Sequence, residues 1–227
     1  MQKFHPIISF YIDENSNAFC RFYIYAVLLT SLGCQQVPQT HKEPIEVLTD
    51  AKRRELKDIL IKIYDDDQEY RSQAMLAINQ YGIRSERVRD LAKKINNVDS
   101  INIPIVKSIV KKHGWLGSKD IGEKANSALY IVIQHAEKED RAFFLPTMRN
   151  AAKNNSASKK DLANLEDRVA LDQGGQQIYG TQLGLNEKTK KYYLFPLKDP
   201  ENVDLRRSKM GMIPIREYLR QWQIVYP

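Results

Sequence analysis

The sequence predicts a mainly α-helical domain that closes with a small C-terminal β-hairpin, an α+β arrangement in which the sheet is minor. Three observations carry this. From Leu56 to Val169, apolar side chains recur at three- and four-residue spacing. Ser, Thr or Asp stands before several of these runs and Gly after several others. Only after Gly175 does the spacing turn towards alternation, in Gln177 to Leu183 and again in Tyr192 to Leu197, around a polar run from Gly184 to Lys191.

The 227 residues suffice for one ordinary domain and a short extra segment. With 42% hydrophobic and 28% charged residues the chain is globular rather than disordered. The reading divides it into a lipoprotein-type signal segment (1–34), a polar tether (35–48) and a single helical domain (49–227). In the first segment a mostly apolar run from Phe22 to Leu32 is too short to span a bilayer as a helix but suits a signal-peptide core. It ends in Ser31-Leu32-Gly33-Cys34, which resembles a bacterial lipoprotein cleavage box, although Leu usually stands where Ser31 does. Cys34 is then the lipidation site, and the membrane is a partner through that anchor. The location expected is the bacterial cell envelope, lipid-anchored, with a cytoplasmic protein as the alternative. Residues 1–20 are long and barely basic for the start of a signal, which a start assigned too far upstream would account for.

The formal net charge is +7. Lys3 and Arg21 cancel Asp13 and Glu14, so the excess lies after Cys34. It is spread over separate Lys-Lys pairs, with no basic stripe interleaved with aromatics, which argues against nucleic acid. The two cysteines, Cys20 and Cys34, both precede the folded part, so no disulfide framework, Cys-ligated metal or catalytic Cys is expected there. No metal or cofactor is expected.

Thr49 or Asp50 caps a first helix with Leu56, Ile59, Leu60 and Ile63 inward. If it continues, Asp67, Tyr70, Arg71, Ala74 and Ile78 extend its stripe, and Asp67 can pair with Arg71 four residues on. Otherwise it breaks at Asp65-Asp66-Asp67 and an aspartate caps the next helix. Ser85 caps a helix with Val88, Leu91, Ala92 and Ile95 inward. Ile103 to His113 is a separate helix, with Pro104 in its first turn and Gly114 past its end. Asp120 and Glu123 have capping-box spacing for the next, whose core face is Ile121, Ala125, Ala128, Leu129 and Val132, with His135 at its edge. Pro146 should kink or restart the stretch carrying Phe143, Phe144 and Met148. Ser158 and Asp161 open a helix that carries Leu162, Leu165 and Val169 on one face and Asp167 among apolar neighbours on another. A carboxylate there needs a partner. Arg168 points away from it. Gly174-Gly175 ends that helix, the hairpin follows at about 177–197, and Pro214 leads into a last helix from Ile215 to Trp222.

Several pieces, in order, resemble a family of bacterial proteins catalogued only as a domain of unknown function. They are Asp67-Gln68-x-x-Arg71, Gly114-Trp115 with Gly122, Gln134-His135-Ala136, Leu165-x-Asp167-Arg168-Val169, Gly175-x-Gln177-x-Tyr179-Gly180-Thr181-Gln182, and Arg206-Arg207 before Gly211. The resemblance spans roughly residues 50 to 220. It departs at Leu116, where that family usually has proline. It implies a mostly helical domain with a small hairpin and a shared set of polar residues, and no activity.

The candidate catalytic residues are His135, Asp167 and Asp67; the candidate ligand-binding residues are Arg71, Gln134, Arg168, Gln177, Tyr179, Gln182, Arg206 and Arg207. Three readings follow. In the first, amides, a tyrosine and arginines bind a polar or anionic small ligand. In the second, a hydrolase or transferase uses His135 as general base, oriented by Asp67 or Asp167. In the third, the same residues form a buried polar network that fixes helix packing.

Overall fold

The computed structural model describes residues 48–226 apart from 187, 188 and 190. The signal-like run, Cys34 and the tether as far as residue 47 lie outside the described residues. Within them are eight α-helices, one short 3-10 helix at Pro200–Asn202 and a two-stranded antiparallel sheet. No helix among them is long and apolar enough to cross a membrane.

Helix α1 runs unbroken from Asp50 to Tyr81, started by the Thr49 hydroxyl, which accepts the Lys52 N–H at 3.2 Å. The run Asp65-Asp66-Asp67 does not end it. Asp67 lies on the buried stripe between Ile63 and Ala74, so partners for one carboxylate let the helix continue. Gly82, at φ 83°, turns the chain, and Ser85 caps α2. Helix α2 spans Glu86–His113, so the two helices expected on either side of residue 100 are one. Pro104 lies on its outer side. The carbonyl its ring leaves unbonded, that of Ser100, belongs to an exposed residue that water can reach, and the inward stripe Val88, Leu91, Asn102, Val106 and Val110 keeps packing across the break. Pro146 is likewise exposed within a continuous α5, Lys138–Lys153.

Between them stand α3 (Ser118–Ile121) and α4 (Glu123–His135), separated by Gly122 at φ 82°. That left-handed residue, not a side chain, occupies the cap, so the expected Asp120/Glu123 capping box does not form. Helix α4 is the centre of the bundle. It packs against α1, α2, α5 and α6, and every residue from Ala128 to Gln134 is buried. Its Asn126 amide donates to the carbonyls of Leu116 (2.6 Å) and Ser156 (2.9 Å), tying the turns at both sides to the core. Helix α1 is antiparallel to α2 and parallel to α4. Arg71 meets Asp99 on α2, while on α4 Gly122 lies by Lys57 and His135 meets Asp67.

Helix α6 (Lys159–Asp172) starts at the Ser158 cap. The hairpin that follows is shorter than expected. Strand β1 is Leu183–Leu185 and β2 is Tyr192–Leu194, in register Leu183 to Leu194. Residues 177 to 182 are no strand, apart from one parallel bridge from Gln177 to Leu197, because the N–H groups of Ile178, Tyr179 and Thr181 turn towards Asp167 on helix α6 instead of a neighbouring strand. Helices α7 (Val203–Lys209) and α8 (Ile215–Arg220) close the chain. Val203, Ile215 and Leu219 pack there against Leu183, Leu194 and Leu197 of the hairpin region.

Candidate functional site

The polar residues gather around two buried aspartates. The first is Asp167, on the α6 face that meets the segment 177–182. Its Oδ1 accepts the N–H groups of Ile178 (2.5 Å) and Tyr179 (2.9 Å), and its Oδ2 accepts the N–H (2.9 Å) and hydroxyl (2.8 Å) of Thr181. Gly180 at φ 71° lets the loop wrap the carboxylate, and an added Cβ would stand 2.7 Å from Ile215. Around this knot the other side chains fasten the loop. Gln177 accepts the Gln182 N–H and donates to the carbonyls of Gln182 and Phe195. Gln182 donates to the Thr181 hydroxyl, Tyr179 to Glu166, and Tyr218 to the Thr181 carbonyl.

Two arginines complete this knot. Arg207 is 1% exposed and donates to the carbonyls of Tyr179 (2.7 Å) and Ile213 (2.6 Å), with its guanidinium 5.0 Å from the Tyr218 ring centre. Arg206 donates to the carbonyls of Ile178, Lys198 and Asp199. Burial pushes the Asp167 carboxyl above its usual range, and the donors of Tyr179, Thr181 and Ile178 pull it back.

The second is Asp67 on α1. Its Oδ1 receives His135 Nδ1 at 3.0 Å and Arg71 Nε at 3.2 Å, and its Oδ2 receives the Gln68 amide at 2.7 Å. Arg71 reaches on to Asp99 of α2 at 2.5 Å. Burial opposes the charge on Asp67, but His135, Arg71 and Gln68 together hold its carboxyl below the usual range. Burial, with the Arg71 charge, lowers His135, more than Asp67 raises it. Near neutral pH the pair is therefore carboxylate and neutral imidazole, and the ring proton sits on Nδ1, where the carboxylate accepts it. Nε2 is then an acceptor. It is buried and has no hydrogen-bond partner among the described residues; the same holds for Gln134 Oε1 and, on α2, Asn102 Nδ2.

The structure thus brings Asp67, Arg71 and His135 together, and separately Gln177, Tyr179, Gln182, Arg206 and Arg207 around Asp167. Gln134 lies beside His135, its carbonyl accepting from Arg141. The Arg168 charge acts near Tyr130, whose hydroxyl is pushed well above its usual value by burial and by Asp161, with Arg168 pulling the other way. Sequence reasoning missed Asp99, Asn102, Thr181, and the pair Arg141–Asp172, which is bidentate at 2.7 and 2.8 Å. Thr181 stood inside the Gly175–Gln182 motif; Asp99, twenty-eight residues from Arg71, left no local signal. No group of three or more His, Cys, Asp and Glu among the described residues is placed to hold a metal ion. On the α1–α2 flank a groove of about 360 Å³ is lined by Tyr70, Lys93, Lys94, Asn97 and Val98. The Lys94 ammonium lies 5.3 Å from the Tyr70 ring centre.

Each knot can be tested by one substitution. Asp167→Asn puts an amide N–H₂ among four donors, and denaturant unfolding should show a loss of roughly 2–4 kcal/mol. The lowered His135 value has a definite sign. Below the ordinary histidine value of about 6.5 the unfolded chain takes a proton that the folded chain refuses, so this contribution is full above that pH and is lost as pH falls through the folded value. Asp161, pushed by burial to about 6, works in the opposite sense, losing stability as pH rises. The difference between the parent and His135→Gln should therefore isolate the histidine: subtracting the variant's unfolding free energy from the parent's should leave a positive slope as pH rises towards the ordinary histidine value of about 6.5. A flat difference would refute the neutral, buried imidazole.

No curated protein and no solved structure matches the chain. A family model described as a family of unknown function, DUF6624, matches residues 54–227, from α1 to the C-terminus, and the chain belongs to that family.

Proposed function

We propose that the helical domain binds a polar ligand at the Asp67–His135 pair, and that a lipid on Cys34 holds the chain at a bacterial cell envelope. One observation carries the site: Nε2 of a neutral, buried imidazole has no partner among the described residues. A buried acceptor left unpaired costs about 1–3 kcal/mol, so an arrangement that keeps one open points to a group that arrives from outside. Asp67, Arg71, Gln68 and Asp99 hold the ring in one orientation, as partners of a working histidine do. The groove on the α1–α2 flank offers two ammonium groups, an amide and a tyrosine. The Asp167 knot supports a different role for its members. Their donors and acceptors are largely used within the chain, which fits the structural reading. The anchor rests on the apolar run from Phe22 and on Ser31-Leu32-Gly33-Cys34.

A second reading has one observation in its favour. A carboxylate on Nδ1–H with Nε2 left as acceptor is the arrangement a general base needs, so a hydrolase or transferase using His135 is the alternative.

Titration calorimetry of the full-length protein against sugars, small amides and small organic acids should give a saturable heat that His135→Gln removes and Arg206→Ala retains; no heat with any of them refutes the binding reading. Cells fed labelled palmitate should label the parent chain and not Cys34→Ser, and an unlabelled parent refutes the anchor.

A further inference from the structure

Helices α1 and α2 enclose a groove of about 360 Å³ on their flank, lined by Tyr70 of α1 and by Lys93, Lys94, Asn97 and Val98 of α2. On α2, Lys93 stands one turn from Asn97 and Lys94 one turn from Val98, so one face of the helix supplies all four. Tyr70 and Val98 are partly buried, while Lys93, Lys94 and Asn97 are exposed. The groove therefore joins two ammonium groups and an amide to two apolar surfaces.

The charges in the groove are not spent within the chain. The Lys94 ammonium lies 5.3 Å from the Tyr70 ring centre, which holds it at the groove, and it pairs with no carboxylate among the described residues. Lys93 reaches Asp90 at 3.3 Å, but the two side chains are 80% and 55% exposed, so that pair is weak and readily exchanged. Asp99, the carboxylate next to Val98, is bonded by Arg71 at 2.5 Å, which offsets its repulsion of an anion.

Two ammonium groups repel a cation, and an oxyanion is their complement. A phosphate monoester carries nearly two charges near neutral pH and three terminal oxygens, against one charge and two oxygens for a carboxylate. Lysine binds it as a point charge, and the exposed Asn97 amide is free to turn its N–H₂ to the third oxygen. A volume of about 360 Å³ suits a small molecule and not a bare ion, which leaves Tyr70 and Val98 for an organic part.

We infer that the groove between Tyr70 and the Lys93–Val98 turn of α2 binds a phosphate monoester, with Lys93, Lys94 and Asn97 on the phosphate and Tyr70 and Val98 against the organic part. The phosphate belongs to a free small molecule or to a lipid headgroup. The inference does not rest on the Asp67–His135 reading.

The test follows the backbone amides of residues 93–98 in full-length protein by ¹H–¹⁵N correlation at constant pH and ionic strength. Glucose 6-phosphate should shift them saturably, glucose should not, and inorganic phosphate should bind more weakly than the ester. Lys93→Gln and Lys94→Gln, both at exposed positions, should each weaken the fitted affinity about fivefold, the worth of one partly exposed ion pair, and His135→Gln should leave it unchanged. A parallel assay sediments the protein with phosphatidylcholine vesicles, with and without phosphatidic acid. Binding that needs phosphatidic acid and that both lysine variants weaken, without a shift from the soluble ester, assigns the same chemistry to a lipid headgroup. Equal shifts with glucose and its phosphate overturn the anionic class. Inorganic phosphate binding as tightly as the ester overturns the place given to Tyr70 and Val98. No response to any phosphate-bearing probe, or one that both lysine variants retain in full, overturns the inference and leaves the calorimetric test of His135 untouched.

Discussion

The C-terminal third of the chain depends on one buried carboxylate. Desolvating a carboxylate costs several kcal/mol, and the bonds to Asp167 come from N–H and hydroxyl groups of the loop. Four donors offset that cost, each charge-assisted bond contributing about 1.5–3 kcal/mol. Three come from the backbone, so the compensation works only if residues 178 to 181 hold one conformation. That requirement spreads outward. Gly180 must be left-handed, the carbonyls of Ile178 and Tyr179 point away from the carboxylate, and Arg206 and Arg207 reach those carbonyls from α7. Helices α6 and α7 are thereby joined through a loop fastened by polar contacts.

The carboxylate of Asp67 is satisfied in a different way. Its partners are side chains from α1 and α4, and Arg71 carries the linkage to α2. Side chains have rotamers to spare, whereas the Asp167 loop has fixed backbone donors. A site that must admit and release something is better built from the first kind. The open acceptor follows this division: His135 Nε2 belongs to the Asp67 group, and no member of the Asp167 knot has an unpaired buried polar atom among the described residues.

Most of the helical framework was legible in the sequence, because caps and 3.6-residue spacing are local signals. Thr49, Ser85 and Ser158 cap as their types suggest, and Gly114 ends α2. Pro104 read as the start of a new helix, and the Asp65–Asp67 run left continuation and a break both open, because a break is the local preference; both helices continue where inward packing and long-range partners outweigh it. Residues 177 to 182 alternate as a strand does, but what their backbone bonds to is an aspartate ten or more positions earlier. The site was legible as a set of residues and not as a map. Asp167 was recognised as needing a partner, while its division from the Asp67 group, and the entry of Asp99 into the latter, come from helix directions that no local pattern encodes.

Helix α4 is held in place independently of its polar residues. The buried run from Ala128 to Ile133 and the Asn126 amide fix it, as Val106, Ile109 and Val110 fix α2. A close-packed core of that kind resists the shifts that would let a buried polar side chain find a new partner within the chain. His135 Nε2 is therefore kept as an acceptor at a cost of roughly 1–3 kcal/mol, which the surrounding apolar packing outweighs.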